Sequence, residues 1–311
     1  RIVGRAWKTN LPSNTAFRGF GGPQGMAVIE NIIDIIARRL KKDPSEIRKI
    51  NFYGIKERNV TPYGQIIEHN RLHTIYNELI KSSEYEKRRK AINEFNKKNE
   101  FFKKGMALTP VKFGISFTTS FLNQAGALVN VYKDGTILVN HGGTEMGQGL
   151  HTKIKQIAAI EFGVSVNRIK VSATSTSKVP NTSATAASAG TDLNGMAVKN
   201  AIEKLKARIA VVISREFCKK YKDNISKAEN IVFKDDKITD KKNPSRQVEF
   251  HQAISLVYLN QVSLSATGFY KTPDIYFDRE KGKGHPYYYF AYGMAVTEIK
   301  LDTLTGHYEN L

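Results

Sequence analysis

His141-Gly142-Gly143-Thr144-Glu145-Met146-Gly147-Gln148-Gly149-Leu150-His151 is the stretch whose reading decides the fold. Ahead of it, Thr136-Ile137-Leu138-Val139-Asn140 is short, apolar and β-branched, which predicts a buried strand. Behind it, Ile154, Ile157, Ala158, Glu161 and Phe162 recur at helical spacing, so the glycines bridge a strand and a helix over about 150–162. Glycines at 142, 143, 147 and 149 remove Cβ atoms, permit positive φ and let a ligand approach the backbone. The free N–H groups of the helix start then face the loop, and an anion is their natural guest. No Gly-Lys-Ser/Thr follows, and the spacing is not that of a dinucleotide fingerprint. A tight connection in which glycines only relieve crowding would carry the same pattern.

Upstream of this hairpin-and-loop unit, residues 8–25 form a second glycine-rich segment holding Phe17, Arg18 and Phe20. It leads into an amphipathic helix with Ile29, Ile32, Ile33, Ile36 and Leu40 on one face. Arginine offers a planar fork of donors and phenylalanine a flat face, although either ring could equally plug a core. Asp43-Pro44-Ser45-Glu46 predicts a capped second helix, and residues 71–102 a charged helical stretch. After Gly105, β-type patterns dominate. Val111 to Phe121 is one strand candidate, and Ala127–Tyr132 with Thr136–Asn140 makes a hairpin around Asp134-Gly135. Ile169–Ala173 predicts another strand, and Met196 to about Lys220 a well-patterned helix.

The small-residue run 172–195, without period, suits backbone lying against something large, or a linker. Residues about 219–248, rich in Lys, Asp and Asn, read as a charged, partly mobile surface excursion without chemistry. A helix and strand resume over 249–270, and the strand from Tyr287 to Leu301 turns at Asp302–Gly306 into a return strand. The reading is an α+β chain with mixed sheets and packed helices. It divides into a first lobe (1–55), a helical connector (56–104) and a second lobe (105–311). Both ends look cut, so a piece of a longer polypeptide is expected.

The 311 residues are 41% hydrophobic, with no apolar run of membrane-spanning length. The single cysteine, Cys218, excludes an internal disulfide and any multi-thiolate metal site within the chain, and suits a reducing compartment. The formal charge of +19 suggests nucleic acid, but the basic residues are spread along the chain and mixed with acids, as in Lys234-Asp235-Asp236-Lys237. No nucleic-acid or membrane partner is therefore expected. His141 and His151 look isolated, and no His/Cys metal motif or nucleophile elbow is present. Three small-residue loops, at 14–25, 141–151 and 180–195, each precede a helix and together suggest a large, planar, phosphate-bearing cofactor.

Four motifs, Thr15–Gly25, Lys112–Thr118, Gly142–His151 and Asn181–Ser188, resemble in sequence and order the molybdenum-binding region of the xanthine dehydrogenase/oxidase family. The resemblance covers the whole chain except the charged stretch near 219–248. It implies part of a molybdenum hydroxylase, an oxidoreductase of purine catabolism that converts hypoxanthine and xanthine to urate. A water-derived oxygen attacks a purine carbon, and hydride passes to the molybdenum centre. Carried over motif by motif, Arg18 and Ala187 contact the molybdenum centre. Phe20 stacks on the purine, Phe117 meets it edge-on, and Thr118 hydrogen-bonds a substituent. Met146, Gly147, Gln148 and Ser188 hold the molybdopterin and its phosphate.

The resemblance further implies 2Fe-2S clusters, FAD and NAD in the full-length protein, a homodimer, and a cytoplasmic location with a peroxisomal alternative. The general-base glutamate is expected beyond Leu311, so no catalytic residue is assigned here, the fragment alone is expected to be inactive, and Glu145 has no claim to the base's role. An aldehyde oxidase-type hydroxylase is the related alternative, disfavoured by Gly22, Phe117-Thr118 and Thr185-Ala186-Ala187-Ser188. A non-catalytic basic binding module is the alternative from another class.

Overall fold

The computed structural model describes residues 3, 5–12, 18–178 and 181–311. The α+β class expected from the sequence is the one found. The chain forms two compact units, Arg1–Asn51 with Glu78–Val111 and Met294–Leu311, and Phe52–Asn77 with Lys112–Gly293. These units group the chain differently from the sequential division into lobe, connector and lobe, because residues from both of its ends enter the first unit.

In the first unit, α1 (Gly22–Leu40) packs on α2 (Pro44–Ile50) through Ile33, Ala37 and Ile47. The rest of the apolar face of α1, including Ile29, Ile32, Ile36 and Leu40, stays exposed. Arg48 of α2 is only 4% exposed and joins Glu30 at 2.5 Å and Asp34 at 2.8 Å. Asp43 caps α2 as its sequence predicts, accepting the Ser45 N–H at 2.8 Å. The charged stretch 71–102 is two helices rather than one. The chain breaks at Glu84 (φ 49°) between α3 (Leu72–Ser82) and α4 (Tyr85–Lys98). Next comes β1 (Phe102–Ile115), which starts well before the expected Val111, since Lys103, Lys104 and Pro110 mask its alternation.

The second unit carries the hairpin, loop and helix seen in the sequence. Strand β2 (Gln124–Val131) pairs antiparallel with β3 (Ile137–His141) as the predicted hairpin, with Val131 opposite Ile137. In the turn, Asp134 accepts the Thr136 N–H at 2.9 Å and Gly135 takes φ 83°. Helix α5 (Leu150–Phe162) carries the chain across to β4 (Ile169–Val171), which runs parallel to β3. This is a strand–helix–strand crossover, the arrangement in which ligands gather at the carboxyl ends of the strands. Helix α6 (Gly190–Tyr221) begins earlier than the expected Met196 and buries one side from Leu193 to Phe217.

Residues 219–248 depart furthest from expectation. Strands β5 (Ile231–Lys234), β6 (Lys237–Asp240) and β7 (Asn243–Glu249) form an antiparallel sheet. Ile231 and Ile238 join the main core, and Asp236 bonds Arg168 at 2.5 Å. The stretch is thus an ordered part of the fold and not a loose excursion. Its apolar positions are few, and two of its charges, Asp236 and Arg246, are matched by distant partners that a local pattern does not show.

Helix α7 (Phe250–Leu259) follows, and β8 (Ser265–Lys271) pairs with β2 to complete the sheet β4-β3-β2-β8. Helix α6 lies against this sheet so closely that a Cβ on Gly268 would sit 1.9 Å from the Ala197 carbonyl oxygen. Strands β9 (Tyr276–Asp278) and β10 (Lys283–His285) make a small ribbon. Strand β11 (Tyr289–Asp302) pairs with β1 and with β12 (Tyr308–Asn310), the predicted return strand. Among the described residues no helix is long and apolar enough to cross a membrane.

Candidate functional site

The bend between β3 and α5 is closed by its own polar groups. Glu145 Oε1 accepts the N–H groups of Gly147 at 3.0 Å and Gly149 at 2.9 Å, and Oε2 accepts that of His151 at 3.1 Å. Gln148 accepts the Met146 N–H at 2.5 Å and donates to the Thr144 carbonyl at 2.9 Å. Gly147 (φ 85°) and Gly149 (φ 74°) take the left-handed conformation that turns these amides inward. The sequence reading left the amides facing a ligand anion. In the structure a side-chain carboxylate fills that place, being the nearest anion and able to reach back to the helix start. The amides of His151, Gly149 and Gly147 hold the Glu145 carboxyl below the usual carboxylate range. Glu145 therefore does have a role, although not as a base.

Beneath this bend, His141 and His151 are paired rather than isolated. Their rings meet edge to face with centroids 5.3 Å apart, and His141 is 1% exposed. His141 Nδ1 accepts the Gly143 N–H at 3.0 Å, which assigns the ring proton of the neutral imidazole to Nε2. Burial, and after it the neighbouring His151, pushes the His141 pKa down to about 4. Asn194 of α6 closes the group, donating to the Gly190 carbonyl at 2.8 Å. Both histidine Nε2 atoms and Asn194 Oδ1 are buried without a hydrogen-bond partner. Nothing local in the sequence joins these three residues; β3, α5 and α6 do.

The small-residue run packs directly on the first bend. A Cβ on Gly142 would lie 2.0 Å from Thr182 Cγ2. Thr144 N–H donates to Thr185 Oγ1 at 2.8 Å, and Thr174 Oγ1 to the Gly143 carbonyl at 3.0 Å. The described residues of the run ahead of α6, 172–178 and 181–189, are therefore an ordered loop and not a linker. Ala187 (φ 54°) and Ser188 (φ 55°) both sit in the left-handed region, a costly backbone for residues with a Cβ that clusters at functional sites. A third turn joins them. Ser183 N–H donates to the Gln124 carbonyl at 3.4 Å. Just before Gln124, Asn123 clamps Phe117 from both sides, accepting its N–H at 2.7 Å and donating to its carbonyl at 2.9 Å. Phe117 is half-buried, Thr118 is exposed, and Ser116 is strained at φ 140°.

One compact unit thus holds Phe117, Thr118, Met146, Gly147, Gln148, Ala187 and Ser188. Arg18 and Phe20 belong to the other. There Phe20 is 62% exposed and strained at φ 43°, between Gly19 and Gly21 at the start of α1. Phe17 lies outside the described residues, as do Val179 and Pro180. Sequence reasoning missed Glu145, Asn123, Asn194 and the histidine pair. The spacing of Glu145 to the helix start is the one signal that could have found any of them.

The donor set around the first two bends is backbone amide, carboxamide and hydroxyl. No group of three or more His, Cys, Asp or Glu able to hold a metal ion occurs among the described residues. Glycine and alanine backbone, strained turns and orphaned buried imidazole nitrogens fit an organic group that carries its own metal ligands.

Two domain models, both described as molybdopterin cofactor-binding domain, match residues 78–311 and 1–52. The chain is 46% identical over 308 residues to a xanthine dehydrogenase of Oryza sativa subsp. japonica, covering 99% of this chain and 20% of the relative. It is 47% identical over 313 residues to one of Dictyostelium discoideum, covering 100% of this chain and 21% of the relative. The chain therefore spans about a fifth of the length of these curated relatives. Among solved structures, quinoline 2-oxidoreductase from Pseudomonas putida superposes with a TM-score of 0.76 at 20% identity, covering 95% of this chain and 37% of that one. An aldehyde oxidoreductase from Desulfovibrio desulfuricans gives 0.69 at 22%, covering 95% and 28%. These structural likenesses establish the fold alone.

Proposed function

The chain belongs to the molybdopterin cofactor-binding domain family, and from that premise we propose that it holds the cofactor and presents the purine in a molybdenum hydroxylase of the xanthine dehydrogenase/oxidase kind. One observation carries the reading: the bends 142–149 and 182–188 are locked together through Thr144 and Thr185, with strained Ala187 and Ser188 beside them. Met146, Gly147, Gln148 and Ser188 hold the molybdopterin, from a bend whose Met146 and Gly147 amides are already bonded to Gln148 and Glu145. Ala187 and Arg18 meet the metal centre, Ala187 by close approach of its backbone. When bound, the cofactor supplies two-electron oxidation of an electron-poor ring carbon with oxygen from water.

The chain's own residues bind and orient. Phe20 offers an exposed face for stacking on the purine, and Phe117 an edge that Asn123 prevents from swinging. Thr118 supplies an exposed hydroxyl for a ring substituent. The general base, the 2Fe-2S clusters, the FAD and the NAD site belong to the rest of the enzyme, as does the homodimer. A cytoplasmic location, with the peroxisome as the alternative, is part of the same proposal and is checked with a tagged protein. The long identities to xanthine dehydrogenases support the purine over an aldehyde substrate.

Phe20→Ala in the full-length enzyme tests the proposal. Loss of the stacking face lowers xanthine turnover about tenfold or more while molybdenum content stays near normal. Loss of molybdenum instead would show that the ring serves the cofactor. Unchanged turnover would remove the purine from this site.

A further inference from the structure

We infer that Glu145 is a positioning residue of the cofactor bend, its carboxylate setting the conformation of residues 146–151 in which the molybdopterin is received. The inference rests on the proposed cofactor site. Ordinary helix capping does not account for this contact. The N-cap of α5 is Gly149, which has no side chain to contribute. The carboxylate comes from four residues upstream and spans the bend, bonding Gly147 within it, Gly149 at the cap and His151 in the first helical turn. Among the described residues the Glu145 carboxylate bonds backbone amides alone and forms no ion pair. The group is therefore committed to loop geometry.

Its consequence reaches the residues assigned to the cofactor. With Gly147 and Gly149 held at positive φ, the Met146 N–H points to Gln148 Oε1 and the Gln148 carboxamide is pinned to Thr144. Thr144 in turn holds Thr185 of the second bend. Glu145 is thus the charged end of a chain of contacts running through Gln148 and Thr144 into the 182–188 loop. Without it, three inward-facing amides lose their acceptor together, and the left-handed glycines lose what selects their conformation. A preformed cradle becomes one that the cofactor must order itself, and retention falls accordingly.

The test uses the full-length protein, with Glu145→Ala and Glu145→Gln beside wild type. Two quantities are followed: amide hydrogen exchange over 146–151 and molybdenum retained through gel filtration. Glutamine keeps one acceptor oxygen but turns an NH2 toward the amides, so it restores part of the contact. The expected result is exchange about tenfold faster in Glu145→Ala. Molybdenum retention falls severalfold, and Glu145→Gln lies between on both measures. Wild-type exchange in Glu145→Ala would overturn the inference, and so would faster exchange with full molybdenum retention. If Glu145→Ala fails to fold, Glu145→Gln decides alone, since wild-type values on both measures overturn the inference. A wild-type protein that carries no molybdenum would instead overturn the proposed function, while the exchange data would still report on Glu145.

Discussion

The solvent side of helix α4, whose other face pairs Arg88 with buried Glu298 and Arg89 with Asp43, and the buried end of the sheet β5-β6-β7 use charge in opposite ways. On α4, Lys87 pairs with Glu84, and the two side chains are 76% and 59% exposed. In the sheet, Asp240 is 0% exposed and accepts Ser226 Oγ at 2.7 Å and the Lys242 N–H at 3.0 Å. Arg246 is buried beside it, donating to Ser226 Oγ at 2.9 Å and pairing with Asp223. The exposed α4 pairs are neighbours one helical turn apart. The buried network joins residues from the segment after α6 and from two strands. Charge density alone does not separate a solvated face from a buried network; the origin of the partner does.

The sharpest way to break this contrast is Ile238→Ala. Ile238 is fully buried in the main core, although its neighbours Lys234, Asp235 and Lys237 are charged. If the sheet is part of the fold, the cavity costs about 2–5 kcal/mol in a urea denaturation experiment on the full-length protein. A loss of only a few tenths of a kcal/mol would return the stretch to a surface excursion.

His141 supplies a third case, a titratable group buried with no opposite charge in its hydrogen bonds. Its folded pKa lies at about 4, below the 6.5 of an ordinary imidazole. The unfolded chain therefore takes up the proton first as pH falls. The contribution is complete above pH 6.5 and is lost between there and about pH 4, on the order of 3 kcal/mol in all. His141→Asn keeps an acceptor for the Gly143 N–H and removes the titration. Denaturation midpoints at pH 7.5 and pH 5 should therefore differ less in the variant than in wild type. Equal differences would mean that the ring is protonated in the folded state and finds a counter-charge.

The same distinction explains what the sequence made legible. Asp134-Gly135 specified its hairpin, Asp43 its helix cap and Asp302–Gly306 its return strand, because each contact lies within a few residues. The strand–glycine–helix unit at 137–162 was readable for the same reason. The partner strands of that hairpin, β4 on one side and β8 on the other, were not specified by any local pattern. In the site, motif likeness marked Met146, Gln148, Phe117 and Ala187. Likeness said nothing of Asn123, which clamps Phe117, or of Asn194 and the histidine pair, which meet only when three elements pack. A lone carboxylate in a loop gives no local sign of the amides it will bind, and Glu145 is such a group.

At the small end of the scale stands Glu94→Ala on α4. Glu94 and Lys97 are one turn apart, bonded at 2.7 Å and both well exposed. Such a pair contributes about 0.2–0.5 kcal/mol, and about 1 M salt should erase most of that. The acid also lies near the carbonyl end of the helix, where a negative charge opposes the peptide dipoles, so removing it recovers part of the loss. The expected change in stability is thus within a few tenths of a kcal/mol of zero at low salt and nearer zero at high salt. A loss above about 1 kcal/mol that persists in salt would mean that Glu94 meets a buried partner. The solvent-side charges of α4 would then belong with those of Asp240 and Arg246, and the contrast between the two stretches would fail.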